Sequence, residues 1–77
     1  MKLEFIYSED CNKCHFLRPF VEAFAEREWI KMKCNLWNES EYKVDSVPML
    51  AVITKEEVKM LNDAEIVEFI NNYHKDE

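Results

Sequence analysis

Two cysteines three positions apart, in Cys11-Asn12-Lys13-Cys14, are the residues of this chain best placed to do chemistry. They follow a short run of β-formers and open a run of helical periodicity. A thiol at a helix start sits among unpaired amide groups at the positive end of the helix dipole, which favours its thiolate. A second thiol about one turn further in is close enough to close a disulfide. The spacing alone also serves zinc sites. With His15 it also completes C-x-x-C-H, the attachment pattern of c-type haem, with Met60 as an axial ligand, but the strand before the motif, the missing signal peptide and the Val47-Pro48 segment speak against haem.

The elements that must position these thiols can be read from periodicity. Leu3 to Tyr7 reads as a strand ended by Ser8-Glu9-Asp10. From Asn12 to about Glu28, Phe16, Leu17, Phe20, Val21, Phe24 and Ala25 recur at helical spacing, with Pro19 expected to kink the helix without breaking it. Ile30 to Leu36 alternates with lysines on one face, as suits a half-exposed edge strand. Asn38 to Lys43 is predicted to form one helical turn, with Asn38 and Glu41 as a capping box. Met49 to Ile53 reads as a buried strand and Val58 to Met60 as a short one after a turn. Asn62 and Glu65 make a second capping box, ahead of a stripe of Ile66, Phe69, Ile70 and Tyr73. The expected order is β-α-β-(α)-β-β-α, an α/β fold with a four-stranded mixed sheet flanked by helices.

With 77 residues, the chain is expected to be a single domain, 1–77, with one modest core. Aromatic residues, 13% of the chain, supply much of its apolar area. Trp29 and Trp37 flank the second strand and read as packing, and the run His74 to Glu77 reads as solvated. Glycine is absent, so Asn and Asp are expected wherever a turn needs positive φ. A net charge of −6, from 16 acids against 10 Lys plus Arg, argues against nucleic acid and anionic membrane surfaces. No apolar run approaches the roughly 20 residues that span a bilayer. Glu4 interrupts the start where a secretory signal needs apolar residues, so a cytoplasmic location is expected. Thiols are kept reduced there, and a C-x-x-C is more often catalytic or metal-binding than structural.

Strand, C-x-x-C at a helix start, strand, Val-Pro, hairpin and final helix together resemble the thioredoxin family in a minimal form. Pro19 lies five residues after Cys14, where thioredoxins carry their helix-kinking proline. Tyr42-Lys43-Val44-Asp45-Ser46-Val47-Pro48-Met49-Leu50 is similar to the thioredoxin segment whose proline is cis and faces the active site. Glu68-Phe69-Ile70 matches the last helix. The truncated size is similar to glutaredoxins and other short redoxins. Thioredoxins have Trp before the first cysteine and Gly-Pro between the two, where this chain has Asp10 and Asn12-Lys13. Phe5 replaces their buried acid and Met49 the threonine after the proline, while the glycine pair of glutaredoxins is missing near Met60-Leu61.

The resemblance implies a thiol–disulfide oxidoreductase that reduces protein disulfides. Cys11 would be the nucleophile and Cys14 the resolving thiol. Val47-Pro48 would be the docking edge for an extended substrate. Lys13 and the helix start favour the Cys11 thiolate, while Glu9 and Asp10 oppose it, which points to a reducing couple. The implied partners are protein disulfides and a reductase the sequence does not name, with no cofactor, no metal and a monomeric state. Two alternatives stay open: a glutaredoxin-like or ribonucleotide-reductase electron donor, and a redox-silent binding or metal-binding module. Cys34 alternates with Met32 and Leu36 and reads as a small buried hydrophobe. In the metal-binding reading it would join Cys11, Cys14 and His15 around zinc.

Overall fold

Strand β1 (Lys2–Tyr7) is buried along both faces and lies inside the sheet. Leu3 and Phe5 point to one side, Glu4 and Ile6 to the other, and all four are buried. Around it the computed structural model, which describes residues 1–73, places α1 (Asn12–Arg27), β2 (Lys31–Leu36), β3 (Met49–Ile53), β4 (Val58–Leu61) and α2 (Asp63–Asn71). The tail His74 to Glu77, expected to be solvated, lies outside the described residues.

The sheet runs β2-β1-β3-β4. β1 pairs parallel to β2 through α1, and antiparallel to β3, while β3 and β4 form an antiparallel hairpin. This is the mixed α/β sheet the periodicity implies. β2 is an edge strand and exposes Lys31 and Lys33, charges that discourage pairing with a further strand.

Both helices contribute to one core against a single face of the sheet. Val21 and Phe24 of α1 and Ile66 of α2 meet Phe5, Leu50 and Leu61 there. Phe24, Phe69 and Tyr73 form an aromatic cluster at the helix junction, with Phe24 edge-on to Phe69 at 5.8 Å and to Tyr73 at 5.0 Å. α1 runs unbroken past Pro19 to Arg27. Asn62 and Glu65 close the expected capping box, each side chain accepting the other residue's backbone N–H.

Four expectations need correction. Residues 38–43 form no helix. The Glu39 and Ser40 amides both donate to the Leu36 carbonyl, and the Ser40 hydroxyl donates to Glu4 at 2.6 Å, so the segment folds onto the sheet. A single turn has too few hydrogen bonds to resist that.

Trp29 and Trp37 are both exposed, Trp29 by 89%, and do not pack as expected. Trp29, not an Asn or Asp, takes positive φ, at 60°. It occupies the left-handed position of a helix stop, where its N–H bonds to the Glu26 carbonyl and that of Ile30 to Ala25. That geometry selects the position two residues past Arg27, whatever residue stands there. Finally, Phe16 and Phe20 belong to the apolar periodicity of α1 but not to its buried face, and Phe16 is 81% exposed.

Candidate functional site

The two cysteines stand where β1 hands over to α1. Ser8 to Cys11 make a tight turn in which the Cys11 N–H donates to the Ser8 carbonyl and that of Asp10 to the Ser8 hydroxyl. Cys11 is the N-cap of α1, in extended conformation, and its sulfur accepts the Cys14 N–H at 3.1 Å. The Cys14 amide therefore points at this sulfur at the start of the helix, an arrangement that stabilises negative charge on it. Cys14, one turn on, is only 1% exposed and belongs to the core, whereas Cys11 is half-exposed. The two are joined by a disulfide. One sulfur faces solvent and its partner is shielded.

The charged neighbours are arranged differently from a simple field on Cys11. The Lys13 ammonium reaches across to α2 and pairs with Asp63 at 3.1 Å. The Lys13 hydrogen bond, with the Ala64 N–H, holds the Asp63 carboxyl below the ordinary carboxylate range. Lys13 is thus already engaged by an acid. Glu9 and Asp10 are exposed, and no ion pair among the described residues includes either. His15 donates from Nε2 to the Glu9 carbonyl at 2.9 Å, which ties this turn to the helix.

Val47 and Pro48 lie at the same end of the sheet. The β1–β3 register pairs Ile6 with Met49, so Pro48 falls level with Tyr7. Pro48 is buried, and the Val47–Pro48 peptide bond is cis. Val47 shares a shallow groove of about 290 Å³ with Ser8, Trp37 and Asp45. The sequence-predicted docking residues therefore border the turn that carries Cys11.

The zinc set is not assembled. Cys34 is half-buried on β2, and among the described residues no three His, Cys, Asp or Glu side chains are grouped as a metal requires. Burial pushes the Cys34 thiol up, and the Arg18 guanidinium only partly opposes that. A thiol so placed favours its protonated form.

Glu4, read in the sequence only as an interruption of the apolar start, is a buried group. It is 1% exposed, accepts the Ser40 hydroxyl and lies 3.7 Å from the Lys33 ammonium. It lies on the face of β1 opposite Phe5, away from the face that packs against the helices. No local signal marked it: pairing with two neighbours covers the edges of β1, whereas Glu4 is met on its face by Ser40, 36 residues further on.

No helix among the described residues is long and apolar enough to cross a membrane. No protein-family model and no curated protein matches the chain. Among solved structures it is similar to thioredoxin 1 from the thermophilic eubacterium Thermosipho africanus TCF52B. The two share 24% sequence identity at a TM-score of 0.79, over 92% of this chain and 88% of that one. A likeness at that identity establishes the architecture: the chain has the thioredoxin fold in a minimal form.

Proposed function

We propose that this thioredoxin-fold protein is a thiol–disulfide oxidoreductase that reduces disulfides of other proteins through Cys11 and Cys14. One observation carries the reading. Cys11 is a half-exposed helix cap whose sulfur accepts the Cys14 N–H, and it is bonded to a cysteine buried beside it. Reduced, that pair combines an accessible thiolate with a shielded resolving thiol, which is the asymmetry that disulfide exchange needs.

The step follows. The Cys11 thiolate attacks one sulfur of a partner disulfide, forming a Cys11–partner bond and expelling the partner's other sulfur as a thiolate. Cys14, losing its proton, then attacks Cys11 Sγ, restores the Cys11–Cys14 disulfide and releases the second partner thiolate. Two electrons have passed to the partner, whose thiolates take up the proton lost by Cys14 and one from water. A reductase that the sequence does not name returns the two electrons.

The β1–β3 ladder stops at Ile6 and Met49, and the Val47 backbone lies beyond its end. An extended partner segment can pair there as a short added strand. Asp10 and Glu9 raise the cost of the Cys11 thiolate, and Lys13, held by Asp63, offsets it less than a free lysine would. Both effects keep the couple reducing.

The test is reduction of insulin with dithiothreitol as the electron source. The wild type should accelerate it well above dithiothreitol alone, and Cys11→Ser and Cys14→Ser should not. A wild type no faster than dithiothreitol alone, in protein shown to be folded and reduced, refutes the assignment.

A further inference from the structure

Beside the disulfide lies a surface that the exchange chemistry itself does not use. It is a groove of about 470 Å³ between Phe16 and Leu17 of α1 and Ala64 and Val67 of α2, with Asn12 and Lys13 at its end. Phe16 stands 81% exposed on one wall, Phe20 is exposed one turn further along α1, and Val67 is exposed on the facing helix. Single exposed apolar side chains are ordinary, but Phe16 and Val67 face each other across one groove near a reactive pair, with Phe20 exposed beyond its lining, and together they form a patch. The fold gains nothing from leaving them in water.

The position of the groove restricts what can fill it. Asn12 and Lys13 are the two residues between the cysteines, so a polypeptide bonded to Cys11 has its neighbouring residues at the mouth of the groove. The Lys13–Asp63 ion pair lies at that end with its two charges matched, and Phe16, Leu17, Ala64 and Val67 line the rest of the groove. Exposed acids without an ion pair among the described residues flank it: Glu9 and Asp10 in the turn before Cys11, and Glu65 and Glu68 beside Ala64 and Val67 on α2. A second copy would bring the same acids and the same net charge of −6 to the contact, and the two would repel.

We infer that this groove seats an apolar side chain, with a cationic residue beside it, from the disulfide-bearing polypeptide that the protein reduces. The inference rests on the thiol–disulfide reading. It adds what that reading lacks, namely which disulfides are chosen. The apolar side chain is buried against Phe16 and Val67 while the cation faces Glu9 and Asp10.

The experiment uses synthetic peptides, each with one cysteine disulfide-bonded to thionitrobenzoate, whose release is coloured. One pair differs by Leu against Ser near the cysteine at constant Lys, and another by Lys against Glu at constant Leu. With wild type, Leu over Ser should give about tenfold in kcat/KM, about 1.4 kcal/mol. Phe16→Ser, and separately Val67→Ser, should bring that ratio towards one. Both positions are exposed, and thermal unfolding checks that each variant is folded. The Lys-over-Glu preference should shrink as salt is added.

No Leu preference in wild type, or a preference that survives both variants, overturns the inference while leaving the redox reading intact. No turnover of any peptide or of bis(2-hydroxyethyl) disulfide overturns the redox reading, and the inference with it. A wild-type dimer in sedimentation that Phe16→Ser dissociates assigns the groove to a second copy and likewise overturns it.

Discussion

Cys11 and Cys14 are chemically identical residues made unequal by their surroundings. Cys11 caps the helix and is half-exposed; Cys14 is buried; Cys34 is half-buried, with its thiol pushed up by burial. Iodoacetamide applied to the reduced protein at neutral pH should therefore label Cys11 first. Cys14→Ser should accumulate mixed disulfides and Cys11→Ser none; equal labelling of all three thiols would remove the basis for a dedicated nucleophile. Asp63 is the second residue with a readable consequence. Its folded pKa lies below the ordinary value because Lys13 donates to it. The stability this pair adds is therefore complete above the ordinary carboxylate range and is lost as pH falls through the lowered folded value. Denaturation of wild type and Asp63→Asn should differ near neutrality, converge in strong acid, and differ less in high salt. A gap that persists unchanged in acid would mean that Asp63 acts through something other than this pair. The cysteine spacing is legible in the sequence because it is local. The Lys13–Asp63 pair is not, because it joins residues that meet only once both helices are docked on the sheet.

Helix ends show how far element-level rules reach. The Asn62–Glu65 box was legible because a cap is written in four consecutive residues, and Asn62→Ala should cost about 1 kcal/mol in urea unfolding. The stop of α1 was not, because it depends on a conformation and not on a residue type. Trp29 holds φ 60° with its ring in water, so it meets the steric penalty of a left-handed residue with little packing in return. Trp29→Gly should raise stability by about 1 kcal/mol, and Trp29→Val should lower it. A destabilised glycine variant would show that the indole makes contacts of value in solution. Phe16 and Phe20 mark the other limit. Periodicity identifies a helix and an apolar stripe, but the width of the stripe that is covered depends on where the second helix lies, and α2 leaves Phe16 bare. The turn expected over Asn38 to Lys43 failed for a related reason: its Ser40 hydroxyl serves Glu4, a partner far away in sequence.

At the scale of the whole molecule, that Glu4–Ser40 contact fastens the long connection before β3 to the middle of the sheet, and the same connection ends in Val47 and Pro48. Ser40→Ala leaves the buried Glu4 without its hydroxyl donor and should cost about 1–3 kcal/mol in chemical denaturation. It should also slow exchange with peptide disulfides, because the proposed docking edge loses its anchor; a variant with wild-type stability and exchange rate would deny the contact both roles. The arrangement of β1 has a further consequence, for synthesis. Phe5 pairs with Cys34 on one side and Leu50 on the other, so the strand at the centre of the sheet leaves the ribosome before either neighbour exists. Cys11 and Cys14 emerge soon after it, ahead of most of the core that buries Cys14. Until β3 arrives, the nascent chain presents an apolar strand with unpaired edges and two accessible thiols. The protein is therefore most open to aggregation and to mispaired disulfides during the interval in which it is half made.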